Sequence, residues 1–495
     1  MTKVLQEHLM KFLEDKNLII VSNRGPVEFS RDNGKIFMKR GAGGLVSTIL
    51  PLVERFEGVW VSSAMTLEDA EVALGYPENR VPVPLDDPKF NVSFVVVDRE
   101  VYEDYYSVIS NPLLWFLQHY MWNTPYGPDI DERIYDAWDK GYVHVNREFA
   151  SRVIQEVDKN DKEPLIMLQD YHLYLCPGFI KKEMPEVFLS HFIHIPWPQR
   201  DYFKILPEGM RDAIMEGLLS NRILGFHIDR YCNNFLECCE DSGYDVDYEE
   251  RSVIRDGERT FVKSYPISID PESIYRTANS HLAMEKEDLV KRLKGDMFLI
   301  YRTDRADLSK NIIRGFKAYE LFLREHPEFH GRVKFLATGK PTRQQIREYR
   351  EYMDKISEPV DDINRRYGNE EWKPVEYICR ADYELVAAAF KRYDCLLVNP
   401  IADGMNIVPK EASLINEEDG LIILSKNAGC YEELSDDVIG VNPFDVKETA
   451  DALYYAVKAD MAERKKRVQG LREKVVKRTI YNWINEQFND FKKLI

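Results

Sequence analysis

Residues 395–411 read CLLVNPIADGMNIVPKE. An apolar run too short for a helix, 395–399, meets a turn built on Pro400, Asp403 and Gly404. A helix then opens, carrying Lys410 and Glu411 in its first turns. Such a run is a strand buried on both faces, and its crossover to the next strand is a helix. The same rhythm recurs at 297–301, 333–338, 375–378 and 421–425, and earlier at 18–22, 94–97, 165–168, 189–195 and 265–269. Ile154 and Leu218 fall in helical patterns between these runs. Strands alternating with helices imply parallel sheets in an α/β protein. Two series imply two doubly wound domains facing across a cleft, over residues 1–268 and 269–478. The hinge falls at Ile267-Ser268-Ile269-Asp270-Pro271, where Pro271 starts a new helix. Residues 479–495 place Trp483, Ile484, Phe488 and Phe491 at helical spacing, predicting a terminal helix that packs back on the first domain.

The chain has 495 residues, enough for two or three domains, and its 44% hydrophobic content supplies their cores. With 67 basic against 84 acidic residues the net charge is −17, which argues against nucleic-acid binding along a positive face. Anionic ligands stay open, because a few arginines suffice locally. The seven cysteines (176, 232, 238, 239, 379, 395 and 430) have no zinc-ribbon spacing and read as reduced thiols. The first residues are amphipathic and charged, and no run reaches the ~18–20 apolar residues of a membrane span. A cytoplasmic protein with no membrane partner and no metal site is expected. Whether it forms a homo-oligomer is left open.

Four constellations fall at predicted strand ends, where open parallel sheets bind ligands. Ser22-Asn23-Arg24-Gly25-Pro26 is followed by Lys39-Arg40-Gly41-Ala42-Gly43-Gly44, a glycine turn leading into a helix. Such a turn presents amides to phosphate, or is simply flexible; with Arg24 and Arg40 it leans towards a diphosphate or sugar phosphate. Asp170-Tyr171-His172 and His194-Ile195-Pro196-Trp197-Pro198 offer a carboxylate and an imidazole for sugar hydroxyls, or a turn cap and a core histidine. Arg305 and Lys310 precede a helix near Asn311 and suit a leaving diphosphate without a metal ion, or are a solvated loop. Asp403, before the 407–411 helix, fits a ribose diol, with free helix amides facing phosphate or sugar, or is a turn residue.

Together these segments resemble the trehalose-6-phosphate synthases, the retaining glycosyltransferases of family 20. The resemblance rests on AGGL (42–45), YYSVISNPLLW (105–115), QDYHL (169–173), HIPWP (194–198), RADLSK (305–310), PTR (341–343) and DGMNIVPKE (403–411), in that order along nearly the whole chain. It implies the GT-B fold. It also implies donor binding by Gly43, Gly44, Arg305, Lys310, Ile407, Val408, Lys410 and Glu411, with Glu411 on the ribose. Asp403 would contact the donor sugar and His194 would lie near the reacting carbon. Arg24, Tyr106, Trp115, Asp170 and Arg343 would hold a phosphorylated acceptor, Trp115 as an apolar platform. No cofactor is implied; the nucleotide sugar, such as UDP-glucose or GDP-glucose, is a substrate.

Three positions depart from the family. Ser63 stands where the synthases carry a second tryptophan, Ala402 replaces an arginine, and Asn311 replaces a glycine. The resemblance implies α,α-trehalose 6-phosphate formation from a nucleoside-diphosphate glucose and glucose 6-phosphate. The alternatives are a family member with another acceptor (a glucosylglycerol-phosphate synthase or a pseudo-glycosyltransferase joining cyclitols) and a non-catalytic sugar-phosphate sensor. A nicotinamide dehydrogenase is disfavoured, since the GxGxxG fingerprint is absent.

Overall fold

A computed structural model describes residues 6–41 and 44–495. Gly43, expected to bind donor, lies outside the described residues. The chain divides into two compact units, Met1–Pro266 with Tyr481–Ile495, and Ile267–Ile480. Both crossings fall two residues from the sequence-based boundaries.

The first unit is built on a ten-stranded sheet. Its parallel centre, in spatial order, is β6 (Phe90–Val95), β4 (Val59–Ser63), β1 (Lys16–Ser22), β7 (Glu163–Gln169), β8 (Leu189–Phe192), β9 (Ile223–Phe226) and β12 (Glu258–Ser264). Counted in chain order, these strands run 3-2-1-4-5-6-7, so the order reverses between β1 and β7. There Ser22 is in register with Gln169 on one side and Ser62 on the other. This register lines up the segments after Ser22, Ser63 and Gln169 at one edge of the sheet, where a doubly wound fold opens its crevice. Short antiparallel strands, β5 (Arg80–Val83) and β10–β11 (Asp245–Asp247, Ser252–Arg255), finish the edges. A separate hairpin, β2 (Val27–Asp32) and β3 (Lys35–Arg40), turns on Asn33-Gly34, both at positive φ.

The expected strand at 265–269 is not one. The sheet takes Glu258–Ser264 instead, burying Thr260 and Val262, and Tyr265 makes one last bond to Phe226 O at 2.7 Å. Pro266 then has no N–H to continue the ladder. The terminal helix, Ile480–Leu494, buries Trp483, Ile484, Phe488 and Phe491. Trp483 meets the Phe192 ring at 5.2 Å and Phe491 meets Phe188 at 5.5 Å, so this helix completes the first unit's core.

In the second unit all six strands are parallel: β15 (Val375–Cys379), β14 (Val333–Lys340), β13 (Phe298–Arg305), β16 (Cys395–Val398), β17 (Leu421–Ser425) and β18 (Ile439–Val441). Their order is 3-2-1-4-5-6, the mononucleotide-binding pattern, with its switch point between β13 and β16. Phe316, Tyr319, Phe335, Leu397 and Ile423 lie in the core that covers the sheet. No helix among the described residues is long and apolar enough to cross a membrane. None of the seven cysteines forms a disulfide, and Cys379 alone among them is exposed.

Candidate active site

At the switch point of the second unit, β13 ends in Arg305 and β16 leads to Asp403. Arg302 lies inside the sheet, 1% exposed, and its guanidinium donates to Asp304 Oδ2 at 2.6 and 3.1 Å. It also donates to the carbonyls of Lys310 (3.1 Å) and Ile312 (3.3 Å), so a buried cation holds the loop that presents Lys310. A Cβ at Gly315 would collide with that guanidinium, which is why the facing helix position is glycine. Lys310 Nζ forms an ion pair with Asp403, whose Oδ2 also accepts from Asn406 Nδ2 at 3.0 Å. Burial raises the Asp304 carboxyl above its ordinary value, against the pull of Arg302 and Lys310 and with a push from Asp403. Two cations and two carboxylates therefore balance one another here. Arg305 is exposed at the strand end.

The turn at Asp403 is pinned from behind: Gly429 N bonds Asp403 O (3.1 Å) and Cys430 N bonds Met405 O (2.8 Å). A Cβ at Gly429 would overlap the Gly404 carbonyl. The helix Val408–Ile415 follows, and over 408–411 its amides are already taken up. Val408 N is taken by Asn406 Oδ1 (3.2 Å), Pro409 has none, and the amides of Lys410 and Glu411 both reach Ile407 O. Glu411 instead offers its side chain, hydrogen-bonded to Tyr383; burial pushes the carboxyl up to about 7.

Two of the cations expected to bind ligand are held by partners within their own unit. Lys410, expected to bind donor, is 2% exposed, donates to Ile267 O at 3.0 Å and pairs with Glu433. It ties the helix to the chain entering this unit and has no open face for a ligand. Arg343, expected to bind acceptor phosphate, is turned into its own unit. It donates to Asp307 Oδ2 at 2.9 Å and Tyr349 OH at 2.6 Å, with side chains 7% and 0% exposed across the ion pair. Asp307 Oδ1 in turn accepts from Ser309 N (3.0 Å) and Ser309 Oγ (2.9 Å), so Arg343 anchors the Lys310 loop.

In the first unit, Asp170 follows β7 at φ 73°, ψ 173°, a backbone region that is costly for any residue but glycine. The bonds that hold it there include its N to Phe192 O (2.7 Å), its O from His191 Nε2 (2.9 Å), and Oδ1 from His194 N (3.3 Å). Asp170 and His194, which follow separate strands, are thus brought together. His194 Nε2 lies 3.0 Å from Gln169 Oε1, and burial, with His227 and His191 nearby, drops the imidazole well below its ordinary value. It is neutral at pH 7.

Tyr106 stands on a widened helical stretch, Asp104–Leu114, interrupted at Asn111 and Pro112. Asn111 Nδ2 donates to Tyr106 O (3.2 Å) while Oδ1 accepts from Tyr171 OH (2.6 Å), fixing the widened turn. The Tyr106 ring stacks between Tyr102 (5.5 Å, 10°) and His172 (5.8 Å, 9°). Arg24 is mostly exposed and pairs with Glu28 at 3.1 Å. Trp115 does not serve as an open platform: it is 6% exposed and His119 stacks on its ring at 4.0 Å. Gly44 begins the helix Gly44–Arg55, as the glycine turn suggested.

The sequence profile of glycosyltransferase family 20 matches residues 16–493. The chain belongs to glycosyltransferase family 20. Among relatives of this family-20 chain, the α,α-trehalose-phosphate synthase (UDP-forming) A of Dictyostelium discoideum is 30% identical over 480 residues, covering 94% of this chain and 61% of its own length. The synthase of Schizosaccharomyces pombe is 29% identical over 477 residues, covering 94% and 89%. The chain thus spans less than two thirds of the first relative's length. A solved structure from E. coli, described with UDP-2-fluoro glucose bound, matches with a TM-score of 0.82 at 27% identity, over 97% of this chain and 99% of that one. The GT-B fold and the recognition made on the motifs both hold.

The family-20 departures now have a local physical setting. Asn311 sits at φ 59°, ψ 36°, the left-handed region that glycine occupies freely and asparagine tolerates. Its side chain donates to Asn399 O (3.0 Å) and Pro443 O (2.7 Å), tying three loops together, and accepts from Arg314 Nη1 (2.9 Å). Asn311→Ala keeps the strain and loses all three bonds, and is expected to lower stability by about 2–4 kcal/mol. Asn311→Gly relieves the strain and should lose roughly half as much; denaturant unfolding of both variants checks the order. Ala402 is buried at 6%, and Ser63 at 3% donates through Oγ to Asn23 Oδ1 at 2.9 Å. The sequence reading did not single out Tyr102, which stacks on Tyr106 and accepts from Asn23, although it lies one helical turn before Tyr106.

Proposed function

We propose that this family-20 glycosyltransferase moves glucose from a nucleoside-diphosphate glucose to glucose 6-phosphate, with retention, giving α,α-trehalose 6-phosphate. The observation that carries it is the Lys310–Asp403 ion pair at the switch point, backed by Arg302, with Arg305 exposed at the end of the same strand. The names of the relatives favour uridine as the donor base. When a diphosphate arrives, Lys310 exchanges Asp403 for phosphoryl oxygens. Asp403 is released to accept from hydroxyls of the donor sugar. Arg305 and Lys310 then stabilise the charge as the anomeric C–O bond breaks and its electron pair passes to the diphosphate. The acceptor hydroxyl attacks from the face the diphosphate leaves, and its proton goes to the departing phosphoryl oxygen. No protein base is required, and the two cations do the work of a divalent ion. Neutral His194 bonds a sugar hydroxyl and is not an acid. Arg24, Tyr106 and Asp170 take the acceptor.

Glu411 holds the ribose diol, which needs an ionised carboxylate to accept both hydroxyls. Its carboxyl is pushed up to about 7 from an ordinary 4.5, so the folded chain keeps a proton that the unfolded chain has lost between those values. Its contribution to stability therefore declines as pH rises through that window. Donor affinity has the opposite slope: it should strengthen about tenfold from pH 6 to pH 8, the fraction ionised with a value near 7. Glu411→Gln should flatten that dependence, as titration calorimetry with UDP at several pH values would show.

Ser63, buried and bonded to Asn23, favours one second reading: transfer to a different polyol or sugar phosphate. A grid of nucleoside-diphosphate glucoses against glucose 6-phosphate, glycerol 3-phosphate and their unphosphorylated forms, read by nucleoside diphosphate release, separates the two. Release with no acceptor preference for phosphate would overturn both.

A further inference from the structure

The acceptor wall contains a directed chain of hydrogen bonds. Ser63 Oγ donates to Asn23 Oδ1 at 2.9 Å, and Ser63 N donates to Asn23 O at 3.1 Å, so Asn23 is fixed with its amide nitrogen pointing onward. That nitrogen donates to Tyr102 OH at 3.4 Å. Asn23 and Ser63 are 4% and 3% exposed, whereas Tyr102 and Tyr106 are half-buried. A phenol has one hydrogen to give. Since the Tyr102 oxygen accepts from Asn23, its own hydrogen is directed away from that chain. The Tyr102 ring lies parallel to Tyr106, at 10° and 5.5 Å, on successive turns of the same helical segment. The two phenols therefore stand side by side, and the charge of Arg24, the residue after Asn23, acts on Tyr102.

We infer that Tyr102 is an acceptor-binding residue, donating through its hydroxyl to the acceptor phosphate beside Tyr106 and Arg24. This rests on the acceptor reading above and extends it to a residue whose neighbours, Asn23 and Ser63, set the direction of its proton. Burial raises the Tyr102 phenol above its ordinary value, while Arg24 works against the rise, so the group remains a donor throughout the neutral range. A hydrogen bond to a phosphate dianion is among the strong ones, and a neutral acceptor forfeits it.

The test is Tyr102→Phe, which keeps the ring and its stacking, measured beside Tyr106→Phe and Arg24→Ala with UDP-glucose as donor. Tyr102→Phe should raise the KM for glucose 6-phosphate about 10- to 100-fold, leaving the donor KM within about twofold. It should also narrow the preference for glucose 6-phosphate over glucose by the same factor, which a packing defect would not do. An acceptor KM within twofold of wild type, while Tyr106→Phe and Arg24→Ala raise it, overturns the role of Tyr102 alone. Equal rises in donor and acceptor KM also overturn it. If none of the three variants moves the acceptor KM, the acceptor reading itself falls.

Discussion

Arg305→Ala and Lys310→Ala should each lower kcat by about 10²- to 10³-fold, the loss of one preorganised donor to developing charge, or about 2.7–4 kcal/mol of barrier. The two should differ in binding. Arg305 is exposed at the end of its strand. Lys310 is paired with Asp403, so Lys310→Ala also strands a carboxylate beside the diphosphate site. Donor KM should therefore rise more for Lys310→Ala than for Arg305→Ala. Steady-state kinetics with single-turnover measurement of the chemical step separates the effects. Near-full turnover in both variants would contradict the charge-stabilising role of this strand end.

Arg343→Ala should act through stability and the donor loop rather than through the acceptor. The Asp307 side chain is fully buried and faces Arg343 at 2.9 Å; removing this cation from a buried carboxylate should cost about 3–5 kcal/mol. Asp307 also fixes Ser309 N and Oγ, one residue before Lys310, so donor-dependent turnover should fall along with stability. Asp307→Asn added to Arg343→Ala should recover much of the stability, because the stranded charge is gone. Chemical denaturation and donor KM on the single and double variants decide this. Unchanged stability with a selective rise in acceptor KM would return Arg343 to the acceptor.

The sequence carried the architecture well, because parallel strands buried on both faces announce themselves as short apolar runs. β7 and β14 are such runs, and both lie within or across the predicted segments. What failed was the run at 265–269, where apolar residues cross between units instead of pairing. The hairpin β2–β3 and the strand β4 were missed, the latter because Val59–Ser63 ends in two serines. At the site, strand-end placement was legible for Asp170, His194, Lys310 and Asp403, since topology alone puts them there. Which charges pair was not legible. Lys410 finds Glu433 and Arg343 finds Asp307, partners set by how loops pack, far apart in the chain. Trp115 read as a sugar platform by its type, yet His119, one turn on, covers it.

Retaining transfer to a sugar phosphate is tested most directly by the product itself. Purified protein incubated with UDP-glucose and glucose 6-phosphate, followed by proton NMR, should give UDP and a disaccharide phosphate in equal amounts. Both anomeric protons of that product should carry the small coupling of α linkages, and the signals should be absent with Lys310→Ala at equal protein. A β-linked product, or glucose and UDP released without any disaccharide, would contradict it.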